Sequence, residues 1–244
     1  MKNLKTLVLV GACGLLLSSA AMHAQGFTFT DDFSAPTIHT NWSTFGGATF
    51  VRYVNQGDPI PAGLLSVGNN QNRQGVSVNI GGTGPWSASM SLLFGGYMFN
   101  TLAKEVIMQV DFASGRTAGF IFINDGSQYN LYGVDSAAGS LVTIMPMADL
   151  PQGGYWTDWS IANDGAGNTS YSMDGVNLWT GYYSGSDSPV NFKISGTDYA
   201  TPTLTILVDN ISITTVPEPS TYALVGFGAM AVFASKRLRS RSGI

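Results

Sequence analysis

Hydrophobic side chains in this chain recur every second residue, and this period fixes the backbone that can bury them. Val106, Met108, Val110 and Phe112 alternate with Ile107, Gln109 and Asp111, and Val76, Val78 and Ile80 repeat the pattern. Side chains two apart share one face of a strand, so each run has one face to bury. Gly119 to Asn124 is a nearly unbroken apolar run, as a central strand requires. Tyr129 to Val134 and Leu141 to Met145 flank Ala137-Ala138-Gly139, which reads as a hairpin. Tyr171 to Met173 and Val176 to Thr180 flank Asp174-Gly175, a dipeptide suited to two-residue turns. Phe192 to Ser195 and Leu204 to Ile213 close the series, and Asn163 to Asn168 reads as a turn. No window before residue 216 carries a convincing helical period. The expectation is an all-β fold, an antiparallel sandwich with turns every 8–12 residues.

The two ends have a different chemistry. Lys2 and Lys5 precede an apolar stretch, Leu7 to Leu17, and a small-residue segment, Ser18 to Ala24. These are the parts of a signal peptide, here 1–24, with cleavage after Ala24 or, failing that, Ala21. Cys13 follows Val10-Gly11-Ala12, a weak lipidation signal, and leaves with the signal peptide. The exported body, 25–215, then has no cysteine and relies on a packed core rather than disulfides. It carries fourteen acidic against five basic side chains, a net −9, whereas the whole chain is −4. So anionic a body repels phosphate backbones, and nucleic acid is excluded as a partner.

The last segment, 216–244, runs from a stiff polar tripeptide through an apolar stretch to a basic end. Pro217 and Pro219 stop the preceding strand, and Ser220 can cap a helix. Thr221 to Ser235 contains no charge. As a helix it would span roughly 22 Å, short of the ~30 Å hydrocarbon core unless Tyr222, Lys236 and Arg237 extend it at the interfaces. A transmembrane helix at about 220–235 is expected, with the basic tail 236–241 left in the cytoplasm.

Val216-Pro217-Glu218-Pro219-Ser220-Thr221 with Lys236-Arg237-Leu238-Arg239 resembles the PEP-CTERM sorting signal of Gram-negative bacteria. That resemblance implies signal peptidase and an exosortase-like membrane transpeptidase as processing partners. Pro217, Glu218, Pro219, Lys236, Arg237 and Arg239 would be recognition residues, and the product would reach the cell surface or the extracellular matrix. Thr30-Asp31-Asp32-Phe33-Ser34 with Asn41-Trp42, Tyr171 to Gly175 and Val208 to Ile213 resemble segments of concanavalin-like and laminin-G-like jelly rolls. The resemblance implies a jelly-roll sandwich whose first and last strands are neighbours. It also implies, in some members, a structural calcium, here held by Asp31, Asp32 and Asp209.

Reactive constellations are scarce. A retaining glycosidase needs two carboxyl groups about 5 Å apart. The body's single glutamate, Glu105, shares a face with Asp111, but about 20 Å away along the strand. His39 is the sole histidine after signal removal, too little for a serine triad or a zinc site. Aromatic platforms for sugar rings are the remaining chemistry. If Trp159 and Ile161 face the core, Trp156 faces water with Asp158 and Ser160. Trp179 and Tyr183 share a face of a later strand, and Trp86 lies in a Gly/Pro-rich stretch read as a loop. Trp42 is assigned to the core. The expected function is that of a non-enzymatic surface protein binding an extracellular polysaccharide. A polysaccharide-active hydrolase and a protein-binding adhesive unit are the alternatives.

Overall fold

The computed structural model describes residues 26–55, 58–68, 70–82, 84–94, 104–124, 129–135, 140–146, 155–182, 188–198 and 204–216. The expected signal helix and membrane helix lie outside them. Every regular element among the described residues is a strand. In chain order these are β1 (Phe27–Asp31), β2 (Trp42–Phe45), β3 (Thr49–Asn55), β4 (Asp58–Val67), β5 (Asn70–Asn79), β6 (Trp86–Phe94), β7 (Lys104–Phe112) and β8 (Thr117–Asn124). They continue with β9 (Tyr129–Asp135), β10 (Ser140–Pro146), β11 (Tyr155–Asn163), β12 (Asn168–Met173), β13 (Val176–Tyr182), β14 (Pro189–Asp198) and β15 (Leu204–Thr215).

Two antiparallel sheets result. Sheet A runs β13-β12-β11-β6-β15-β4-β3, with β1 also on β15, and sheet B runs β10-β9-β8-β7-β14. The pair β2–β5 abuts β14, where a Cβ on Gly75 would come within 2.3 Å of the Ile194 carbonyl oxygen. No other residue fits there without moving a backbone. The alternating runs do what their period requires. Val106, Met108, Val110 and Phe112 of β7 join one core with Trp159 and Ile161 of β11 and with Leu204, Ile206 and Val208 of β15. Phe120 and Phe122 of β8 meet the Trp159 ring edge-on across the layer, with centroids 5.1 and 4.8 Å apart, a favoured aromatic geometry.

The hairpin dipeptide forms as expected. Asp174 and Gly175 both take positive φ, 49° and 77°, as a type I′ turn demands, and they join β12 to β13. The turn after β11 is held by Asp164, whose Oδ1 accepts the N–H groups of Ala166 and Asn168.

The corner between the first and last strands positions two candidate features. β4 pairs with β15 along Leu204–Val208, and β1 pairs with the same edge along Ile211–Thr215. Between them β15 bulges at Asp209 and Asn210, so that the register against β6 shifts between Asp209 and Ser212. Asn210 sits at φ 49°, as short polar side chains tolerate. Phe33, also at positive φ, drops into the gap and is fully buried. Its ring lies where a Cβ on Gly63 would stand, 2.6 Å away.

Candidate functional site

The expected acidic corner assembles only in part. Asp31 spends its carboxylate on the protein, Oδ1 on the Phe33 N–H at 3.0 Å and Oδ2 on the Trp42 indole N–H at 2.8 Å. Asp32 accepts from the N–H and the hydroxyl of Ser34, the hydroxyl first in effect, and these bonds hold its carboxyl below the usual range. Asp209 is buried. Desolvation, and then the charges of Asp32 and Asp31, push its carboxyl up, against the opposing bond from the Asn210 N–H. Among the described residues no donor reaches its other oxygen. No group of three or more His, Cys, Asp or Glu there is placed to hold a metal ion.

The tryptophans separate by face. Trp86 corrects the expectation of an exposed loop aromatic: it opens β6, is buried, and packs on Phe112 at 5.5 Å. The Gly/Pro-rich stretch ends one residue earlier than its composition suggests, and β6 needs an apolar residue at each inward position. Trp179 is half-buried against the core, its ring 4.6 Å from that of Tyr171. Trp42 lies at the core margin between Phe29 and Phe50. Trp156 is half-buried on the outer face of sheet A. Among the described residues it meets no ring and makes no side-chain hydrogen bond. Tyr183 and the sorting residues Pro217, Glu218, Pro219, Lys236, Arg237 and Arg239 lie outside the described residues.

A polar cluster lies on the same face of sheet A as Trp156. Asp158 stands on the same face, two positions along β11. The Ser91 hydroxyl donates to Asp158 Oδ1 at 2.6 Å and accepts from Asn210 Nδ2 at 3.2 Å. The Asp158 N–H donates to the Asp174 carboxylate, and the Asp174 N–H returns a bond to the Asp158 carbonyl, each at 2.8 Å. A cleft of about 300 Å³ opens here, lined by Ser89, Met90, Ser91, Asp158 and Asn210. Strand pairing alone brings these residues together: Asp158 is expected to face water and Asn210 lies in the Val208–Ile213 segment, but nothing in the sequence joins them to Ser91.

The outer face of sheet B differs. Glu105 takes a bond from the Thr197 hydroxyl at 3.1 Å and an ion pair from Arg73 at 3.5 Å. Asp111 is paired with Lys193 and bonded by the Gln109 amide. Ile107 and Ile121, a cross-strand pair pointing away from the inter-sheet core, are nevertheless buried, as are Ser195 and Thr197.

The folded part resembles several solved structures at low identity, a likeness of fold alone. A sialidase superposes with TM-score 0.53 and 11% identity over 80% of this chain, which spans only 19% of the sialidase's length. A carbohydrate esterase from the Shiga toxin-encoding bacteriophage phi24B gives TM-score 0.54 and 12% identity over 73% of this chain and 91% of its own. The CBM2 module of the evolved Dit of Lactobacillus casei BL23 phage J-1 gives 0.54 and 13%, over 80% of this chain and 98% of its own. Among curated proteins none matches the sequence. The tail is more specific: residues 215–238 match the PEP-CTERM protein-sorting motif, which implies recognition by an exosortase-like system and export of the chain.

Proposed function

We propose that the exported body is a jelly-roll module that binds extracellular polysaccharide without cleaving it. The observation that carries this reading is the state of the two carboxylates on the outer face of sheet B. Glu105 is tied to Arg73 and Thr197, and Asp111 to Lys193 and Gln109. A retaining glycosidase needs two carboxyl groups about 5 Å apart, one with an oxygen free at the sugar carbon, and these two, tied to their partners and about 20 Å apart along one strand, supply no such pair. The fold neighbours include an esterase of carbohydrate, a sialidase and the CBM2 module, so sandwiches of this shape serve proteins of both kinds. Full-length protein in detergent, mixed with insoluble neutral polysaccharides, should be retained and release no reducing ends. Release of reducing ends, or retention on no polysaccharide, would sink the proposal.

The tail completes the reading. Residues 220–235 cross the membrane with the basic tail 236–241 in the cytoplasm. A transpeptidase then acts near Pro217-Glu218-Pro219 and delivers the module to the cell surface. We further propose a structural calcium at the Asp209 corner, although no three acids among the described residues converge there. Its residues fit in one respect: a buried carboxylate with an unbonded oxygen, pressed by two neighbouring acids, is a place where a hard divalent cation lowers the energy. Asp209 would be the side-chain ligand, Asp31 and Asp32 would lend charge, and main-chain oxygens would fill the shell.

A further inference from the structure

We propose that the cleft at the β15 bulge binds one neutral sugar unit of a polysaccharide, with Trp156 as the ring platform and Asp158, Ser91 and Asn210 as its hydroxyl partners. This rests on the glycan-binding reading above and gives it a place on sheet A. The first support is the network itself. Asp158 is held from both sides, by Ser91 and by the Asp174 turn, so its second oxygen, Oδ2, is oriented before any ligand arrives. Asn210 is held in a positive-φ conformation at the bulge. It aims its amide at Ser91 and keeps a carbonyl oxygen and a second N–H for a ligand.

Trp156 is the second support. The four other tryptophans all pack against aromatic rings. Trp156 alone, among the described residues, has no ring partner. It stands roughly 7 Å along β11 from Asp158, the rise of two strand residues, which is the width of a pyranose ring beside its hydroxyl partners. Charge selects the ligand class. The body is −9 by its side chains, and the cleft holds one of these acids, Asp158, with no cation beside it among the described residues, so uronic or sulfated chains are repelled. Neutral hydroxyls, which both donate and accept, match an acceptor carboxylate, an amide and a serine.

The test titrates full-length protein with cellohexaose, xylohexaose and an alginate oligosaccharide, reading indole fluorescence and calorimetric heat. Trp156→Ala, Asp158→Asn and Asn210→Gly are compared, the last keeping the positive φ while removing the amide. Binding of a neutral oligosaccharide is expected to weaken at least tenfold in Trp156→Ala and Asn210→Gly, with near-UV dichroism retained. Wild-type-like binding by both variants would overturn the cleft while leaving the glycan-binding function standing. Absence of neutral-glycan binding by the wild type would overturn both. Tighter binding of the alginate oligosaccharide would overturn the neutral class.

Discussion

The outer faces of the two sheets handle negative charge in opposite ways. On the outer face of sheet B Glu105 has Arg73 and Asp111 has Lys193. On sheet A the carboxylates of Asp158 and Asp209 have no cation among the described residues. Asp158 takes a bond from the neutral Ser91 hydroxyl, which itself accepts from the Asn210 amide, and Asp209 is buried near other acids. A neutralised face is finished, with its bonding capacity turned inward. A face of unneutralised acceptors keeps capacity for something from outside, an ion at one point and hydroxyls at another.

The layer shared by both faces sets the scale for testing this contrast. Trp159→Ala removes the ring that Phe120 and Phe122 pack against and should cost about 3–5 kcal/mol in urea unfolding. A loss under about 1 kcal/mol would mean that the sheets are not joined as described. Lys193→Met comes next. It strands a partly buried Asp111 and should cost about 1–2 kcal/mol, between the exposed and buried limits for ion pairs. If Lys193→Met is neutral at pH 7, sheet B is no more neutralised than sheet A.

Asp209→Asn should act with the other sign. The Asp209 carboxyl sits above its ordinary 3.8, chiefly through desolvation. It therefore holds its proton more tightly folded than unfolded. The wild type is favoured below 3.8 and loses that advantage as pH rises through the raised value. At pH 7 the variant should be the more stable of the two, and the gap should close on acidification. Millimolar calcium should raise the melting temperature of the wild type and leave the variant unmoved; equal responses would remove the calcium from this corner. The smallest effect on stability belongs to Trp156→Ala, within about 0.5 kcal/mol, since the ring has no described partner to lose.

Much of this was legible in the sequence, and what was not has physical reasons. Alternation in β7, the Asp174-Gly175 turn and the inward pair Trp159 and Ile161 are local signals, and each reads through to the structure. The adjacency of β1 and β15 came through the resemblance at both ends, and Phe27 does oppose Thr215. Ile107 and Ile121 broke the rule: apolar residues on both faces of β7 and β8 hide which one is outward. The cleft was invisible because it joins Ser91 to Asp158, 67 residues on, and to Asn210, 119 residues on. Only strand order makes those positions neighbours. Trp86 was misread because loop composition runs up to its edge.

The pairing of the first strand with the last has a consequence for biogenesis. The Phe27 N–H donates to the Thr215 hydroxyl across 188 residues, and β15 supplies an edge to β1, β4 and β6 alike. A polypeptide threaded outward from its amino end therefore cannot close sheet A until almost the whole body has emerged. The sorting tail begins at the residue where that closure ends. Closure of sheet A thus waits on the last strand of the body, and the segment that carries the sorting motif follows it directly.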